Sequence, residues 1–338
     1  MVHVSSPHAR ARILLTHVPG MRRAYYGERA LAALAELGDV VTHEGVLPLE
    51  GAALADAAAG CRIVVADRNT PLPASVFARL PSVAAVLRVA VDIRNIDVAA
   101  ASGEGILVCQ ASRTWVPAVA ELVVGLMIDA ARGISRANLA YKAMRDPEIR
   151  VGRQLRGSTA GLIGYGPLGR YVAELCLAFG MRVLVCDPYV GVDGASMRQV
   201  ELRELLAEAD FVLPLAVATQ ETENLIGQAA LCAMKPSAFL VNLSRGNLID
   251  EGALERALDE GAIAGAAMDV GRAADQMPSA VIARRPNVTA TPHVGGLTQE
   301  AIEGQAMETV EQAAAILAGR MPTGAVNAAQ ARRITHPT

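Results

Sequence analysis

The chain has 338 residues, 52% hydrophobic, 19% charged and only 3% aromatic. That length suits two domains, and so apolar a composition excludes a disordered chain. The net charge of −3, from 31 Lys and Arg against 34 Asp and Glu, argues against a nucleic-acid partner.

The segment His8-Ala-Arg-Ala-Arg12 reads as a solvated arm before the first strand. No secretory signal precedes it, since a long apolar core and a small-residue cleavage site are both missing. Five cysteines (Cys61, Cys109, Cys176, Cys186, Cys232) form no CxxC pair. They read as buried, reduced thiols in a cytoplasmic protein, with no metal site. A membrane span is not expected: apolar stretches such as 121–132 are broken by charge and fall short of the roughly 20 residues needed.

Apolar runs predict strands at Ile13–His17, Val40–His43, Ile63–Ala66, Ala85–Val91 and Ile106–Cys109. Ala/Leu/Glu-rich stretches between them, such as Glu28–Leu37 and Ala74–Leu80, predict helices. The alternation implies a parallel sheet covered on both faces. A long helix, Pro117–Arg132, follows. A second series then places strands at Ala160–Gly164, Arg182–Cys186, Phe211–Leu215, Phe239–Leu243, Ala266–Val270 and Val288–Ala290. Six strands in that order fit a dinucleotide-binding domain. The last amphipathic helix, Thr298–Leu317, comes after that domain is complete, so it is free to return to the first.

Gly164-Tyr-Gly166-Pro167-Leu168-Gly169 joins a strand to a helix starting near Tyr171. Gly164 permits the tight turn, Gly166 lets a pyrophosphate approach the backbone, and Gly169 brings the helix close to the sheet. Asp187 ends the next strand, 18 residues beyond Gly169. A carboxylate there suits the ribose hydroxyls of NAD and repels the 2′-phosphate of NADP. Arg245 and His293 each follow a later strand, at the carboxyl end where ligands bind. A guanidinium can grip a carboxylate in two parallel hydrogen bonds, and an imidazole can move the proton that accompanies hydride transfer.

With these residues, and with Val241-Asn-Leu-Ser-Arg245-Gly246, Asp250-Glu-Gly-Ala-Leu254, Met268-Asp269-Val270 and Thr291-Pro-His293-Val-Gly-Gly296, the sequence resembles the NAD-dependent D-isomer-specific 2-hydroxyacid dehydrogenases. Weaker echoes occur at Asn95-Ile-Asp97 and Ala118-Val-Ala-Glu121. The resemblance implies two doubly wound α/β domains. One is a flavodoxin-like substrate domain of residues 1–110 completed by 299–338. The other is a Rossmann NAD-binding domain of residues 111–298. Together they use nearly the whole length, which leaves no room for an appended regulatory domain. It implies that Arg245 holds the substrate carboxylate and that His293 is the acid/base. Asp269 and Leu243 would orient the nicotinamide, and Thr219 would lie near the pyrophosphate. A small 2-hydroxy or 2-oxo acid substrate and a homodimer complete the expectation.

The pattern breaks in three places. The family has a glutamate five residues after the Asp of Asp269-Val270, where this chain has Ala274. A shifted loop could instead bring Asp275 or Gln276 to His293. The family's Gly-x-Gly, whose N–H groups meet the substrate carboxylate, is here Ala90-Val91-Asp92, and Arg94 is placed to neutralise Asp92. Arg68 follows a first-domain strand and is a further candidate for substrate contact. The family's His-x-Pro-x-Thr is here Leu215-Ala-Val217-Ala-Thr219. The missing glutamate leaves one alternative to an enzyme, a catalytically weakened NAD(H)-binding sensor on the same fold.

Overall fold

The computed structural model describes residues 10–192 and 196–334. The chain divides into two compact units, Met1–Thr114 with Gln299–Thr338, and Trp115–Thr298. The first unit holds β1 (Arg12–Leu15), β2 (Asp39–Thr42), β3 (Ile63–Ala66), β4 (Ala85–Arg88) and β5 (Leu107–Gln110). Their order is β2-β1-β3-β4-β5, and every neighbouring pair is parallel. That is the flavodoxin-like order.

Helices cover both faces, so the middle residues of the inner strands are apolar whichever way they point, with Arg12 and Arg88 at strand ends. Ile13, Leu15, Val65 and Leu87 enter one cluster with Ala30 and Leu34 of helix Glu28–Leu37. Leu14, Val64, Val86 and Val108 enter another, with Leu54 and Phe77. The expected N-terminal arm is partly tied down. His8 and Ala9 lie outside the described residues, but Arg10 donates to the carbonyls of Ala35 (2.5 Å) and Glu36 (2.8 Å), and Arg12 already belongs to β1. A cation at a helix C-terminus is favourably placed against the helix dipole.

The late helix, Gln299–Leu317, does return. It adds Ala306, Val310, Ala313 and Ile316 to the first unit's core. Burial of a Val or Ile side chain is worth about 1.5–3 kcal/mol. Residues 324–327 then run beside β5: Gln110 N–H donates to Gly324 O (3.0 Å) and Val326 N–H to Val108 O (2.8 Å). The Asn327 side chain accepts from Val108 N–H at 2.8 Å. Gly324, at φ +76°, sits so close to the Gln110 carbonyl that a side chain would overlap it.

A buried polar network ties the ends of these strands together. Arg88 is wholly buried, and its guanidinium donates to Asp67 O, to Thr70 O (2.9 Å) and to Asn95 Oδ1 (2.7 Å). Burial pushes the guanidinium down to about 10, with Asp67 opposing, so Arg88 stays cationic at neutral pH. His17 Nε2 lies 3.6 Å from Asp67 Oδ2. Its Nδ1 is buried without a hydrogen-bond partner among the described residues. Burial pushes the imidazole down to about 4, against the pull of Asp67.

A pH dependence follows. In the unfolded chain His17 titrates near its ordinary 6.5, so from there down to about 4 the unfolded state binds a proton that the folded state excludes. The contribution is fully present above the unfolded value and is lost as pH falls toward the folded one. Across the window it amounts to about 3 kcal/mol. Urea unfolding at several pH values should show a shallower acid-side loss for His17→Gln than for the parent; parallel curves would assign that loss elsewhere.

The second unit holds β6 (Thr159–Ile163), β7 (Arg182–Cys186), β8 (Met197–Gln199), β9 (Phe211–Pro214), β10 (Phe239–Asn242), β11 (Gly265–Met268) and β12 (Val288–Ala290). The order is β12-β11-β10-β9-β6-β7-β8, all parallel. Strand order reverses between β6 and β9, which places the ligand crevice at their carboxyl ends. Seven strands stand where six were expected. The extra one is a polar three-residue edge strand, too short for periodicity to register. The helix after the glycine turn begins at Pro167, earlier than expected, because proline suits the first helical position. Cys232 is exposed, which corrects the expectation of five buried thiols.

Candidate active site

The glycine turn leaves β6 at the point of strand reversal. Gly164 has φ +103°, and a Cβ on it would stand 2.7 Å from Ala216 N, on the chain leaving β9. A Cβ on Gly169 would overlap the Gly164 carbonyl, so the helix Pro167–Ala178 is seated directly on the turn. Gly166 is different. Its Cβ would meet nothing within 4 Å, so this glycine serves no packing in the unit and leaves bare backbone at a helix N-terminus. That is a cradle for a pyrophosphate. Pro167 is exposed at the helix start, and Leu168 is buried beneath it.

Asp187 closes the turn from β7. Its Oδ2 accepts from Tyr165 N–H (2.7 Å), and its Oδ1 from Tyr189 N–H (2.8 Å) and Val190 N–H (3.1 Å). A carboxylate has about four acceptor positions, so one remains for a ribose hydroxyl. These residues fit a dinucleotide. Thr219 is exposed and engaged with Thr222: Thr219 N–H donates to Thr222 Oγ1 (2.8 Å), which in turn donates to Val217 O (2.7 Å). Sequence reasoning missed Thr222; the available signal was that threonine hydroxyls often bond nearby main chain in turns.

Beyond β10, buried Asn242 shapes the segment that carries Arg245. Its Oδ1 accepts from Ser244 N–H (3.0 Å), and its Nδ2 donates to Arg245 O (2.9 Å). Ser244 Oγ donates to Ala216 O at 3.1 Å, tying this segment to the one after β9. Leu243 is buried, whereas Arg245 is exposed. A Cβ on Gly246 would overlap the main chain of Gly271, so the arginine segment and the loop after β11 meet backbone to backbone.

Asp269, 1% exposed, organises the histidine turn. Its Oδ1 accepts from Thr291 Oγ1 (2.6 Å) and Val294 N–H (2.8 Å), and its Oδ2 from Gly295 N–H (2.9 Å). The main chain of Asp269 accepts from His293 N–H at 2.9 Å. His293 itself is held in the left-handed region, φ +55°. Its Nδ1 lies 2.7 Å from the main-chain oxygen of Asp275. The ring therefore meets Asp275 through its carbonyl.

Arg272 fastens the loop that carries Asp275. Its guanidinium donates to the carbonyls of Ile249 (3.2 Å) and Asn247 (3.0 Å) and pairs with Glu223 at 2.8 Å. Nothing in the sequence marked Arg272 beforehand, because its role depends on which carbonyls the fold brings to its guanidinium.

In the first unit, Arg68 is exposed, and its carbonyl accepts from Asn95 Nδ2 at 3.1 Å. Ala90 and Val91 are half-buried, and Ala111 N–H donates to Ala90 O at 3.0 Å. Arg94 wraps Asp92: its Nε lies 3.0 Å from both carboxylate oxygens and its Nη2 2.6 Å from Oδ2. The extra negative charge in that loop is thus neutralised locally.

A parallel α/β unit with a glycine turn at its point of strand reversal and an acid closing that turn is a dinucleotide-binding unit. The chain belongs to the D-isomer-specific 2-hydroxyacid dehydrogenases, whose NAD-binding domain matches residues 124–295. It is 34% identical over 305 residues to D-3-phosphoglycerate dehydrogenase of Methanocaldococcus jannaschii, covering 89% of this chain and 57% of that protein. With hydroxypyruvate reductase of Thermotoga maritima it shares 33% over 255 residues, covering 74% of this chain and 83% of that one. Its fold matches the TT0316 protein of Thermus thermophilus with a TM-score of 0.80 and 31% identity, over 93% of this chain and 99% of the other. The chain thus spans little more than half of the phosphoglycerate dehydrogenase it matches, and most of the reductase. No helix among the described residues is long and apolar enough to cross a membrane.

Proposed function

We propose that the protein is an NAD-dependent oxidoreductase that interconverts a small D-2-hydroxy acid and its 2-oxo acid. The observation that carries this reading is the pairing of Arg245 and His293 at strand ends of the unit that also bears the dinucleotide cradle. The chemistry the dinucleotide supplies when bound is hydride transfer to or from C2. Gly164, Gly166, Pro167, Leu168 and Gly169 would hold the pyrophosphate beside Thr219, and Asp187 the ribose. Leu243 and Asp269 would stand beside the nicotinamide. Arg245 would hold the substrate carboxylate and polarise the C2 oxygen, and His293 would give that oxygen its proton. Arg68 and the backbone at Ala90 and Val91 are assigned to substrate as well.

The same reading assigns a cytoplasmic homodimer formed through the second unit. Ile134, Leu139, Tyr141, Met144, Ile149 and Val151 are all exposed in the segment after the helix Val116–Arg132, an apolar concentration that a second copy would cover.

A panel of 2-oxo acids assayed with NADH and NADPH in parallel tests the proposal. Turnover with at least one acid is expected, with NADH preferred by about tenfold or more because Asp187 repels a 2′-phosphate. Tight NADH binding without turnover anywhere on the panel would reject the enzyme, and a preference for NADPH would reject the assignment to Asp187. Light scattering on the same preparation checks the dimer; a monomer mass would remove it.

A further inference from the structure

The contact at His293 rests on one atom that no side-chain pattern announces. The Asp275 oxygen 2.7 Å from Nδ1 is a main-chain carbonyl, which has no proton to donate. The contact is a hydrogen bond only if Nδ1 carries the proton. The loop around it is built to aim that carbonyl. Asp275 (φ +55°, ψ +23°) and Gln276 (φ +58°) are consecutive left-handed residues, a conformation that side chains beyond glycine rarely adopt. The reversal is closed by Gly271 N–H to Gln276 O (2.8 Å) and Ala273 N–H to Met277 O (3.1 Å). A side chain at Gly271 would press on Pro278, so the loop has little room to relax. Backbone strain concentrated beside a reacting group marks a position that the surrounding structure holds on purpose.

We infer that Asp275 is a positioning residue for His293 through its carbonyl, taking the place that a carboxylate at Ala274 would fill. The inference rests on the acid/base role proposed above. With Nδ1–H held on the carbonyl, Nε2 is the atom that exchanges the proton. In reduction, with the bound dinucleotide supplying the hydride, the imidazolium would give its Nε2 proton to the C2 oxygen and the ring would be left as the neutral Nδ1–H form. Charge and protons balance without a carboxylate.

The test separates backbone from side chain. Nitrogen-15 NMR of His293 in the NAD-bound protein should show Nδ1–H as the neutral tautomer in the parent, in Asp275→Asn and in Asp275→Gly, since Asn and Gly accept a positive φ. Asp275→Val, whose branched side chain resists that conformation, should lose the tautomer preference and lower kcat by at least about tenfold with KM within about twofold. Loss of the Nδ1–H form in the Asn or Gly variant would overturn the inference, because it would make the carboxylate the partner. An Nε2–H tautomer in the parent would overturn it as well. Neither NMR result depends on turnover, so they stand apart from failure of the substrate panel.

Discussion

His293→Asn lowers turnover by about 10²–10⁴-fold, the usual worth of a general acid or base, while NADH affinity changes by less than about tenfold. Asparagine is the informative replacement because it tolerates the left-handed backbone that position 293 adopts, at φ +55°. The turn built on Asp269 should therefore survive, since its bonds run to Thr291, Val294 and Gly295. What disappears is the imidazole alone. Stopped-flow measurement of the hydride step, with fluorescence titration of NADH, separates the two effects. A variant that kept more than a tenth of parental turnover would show that another group moves the proton.

Arg88→Met should destabilise the first unit by about 3–5 kcal/mol, since each buried acceptor left without its donor costs about 1–3 kcal/mol. Methionine matches the stem in bulk, but three acceptors lose their donor: the carbonyls of Asp67 and Thr70 and the side chain of Asn95. The Asp67 carboxylate, only 5% exposed, also loses its attraction to the Arg88 charge. The loss should be visible as a lower urea midpoint with an unchanged denaturant slope, since the same surface is exposed on unfolding. Asn95 also bonds the carbonyl of Arg68, so substrate KM should rise in the same variant if Arg68 contacts substrate. An unfolding free energy within about 1 kcal/mol of the parent would mean that water replaces the guanidinium.

Much of this was legible in residues whose side chains do the work. Ile13–Leu15 and Ile63–Ala66 had to be strands because four or so consecutive apolar residues fit a sheet buried on both faces. Gly164, Gly166 and Gly169 announced the turn because each glycine answers a separate steric need. Asp97, noted as a weaker echo of the family pattern, and Asp250, noted among the residues that carry it, cap helices by accepting from Ala100 N–H (2.9 Å) and Ala253 N–H (3.1 Å).

The rest had no such signature. Met197–Gln199 is an edge strand that buries little, so its sequence is free to be polar. Arg88 reads as a surface charge in any composition count, and only the convergence of the loops after β3 and β4 supplies its buried partners. The carbonyl of Asp275 is invisible for a simpler reason: every residue has one, and only the backbone angles decide where it points. Ala274 told the reader that a carboxylate was missing, but not what had replaced it.

The split of the first unit also sets an order on synthesis. Its sheet is encoded in the first 110 residues, yet Ala306, Val310, Ala313, Ile316 and Ile334, which cover one face, are translated only after the second unit. The second unit is contiguous and has all of its core residues by the time residue 298 is made. On the ribosome the earlier-made sheet therefore waits, with Leu15, Val65 and Leu87 lacking part of their cover, until the later-made unit is complete. That interval is when the chain is most open to a chaperone, or to another nascent copy of itself.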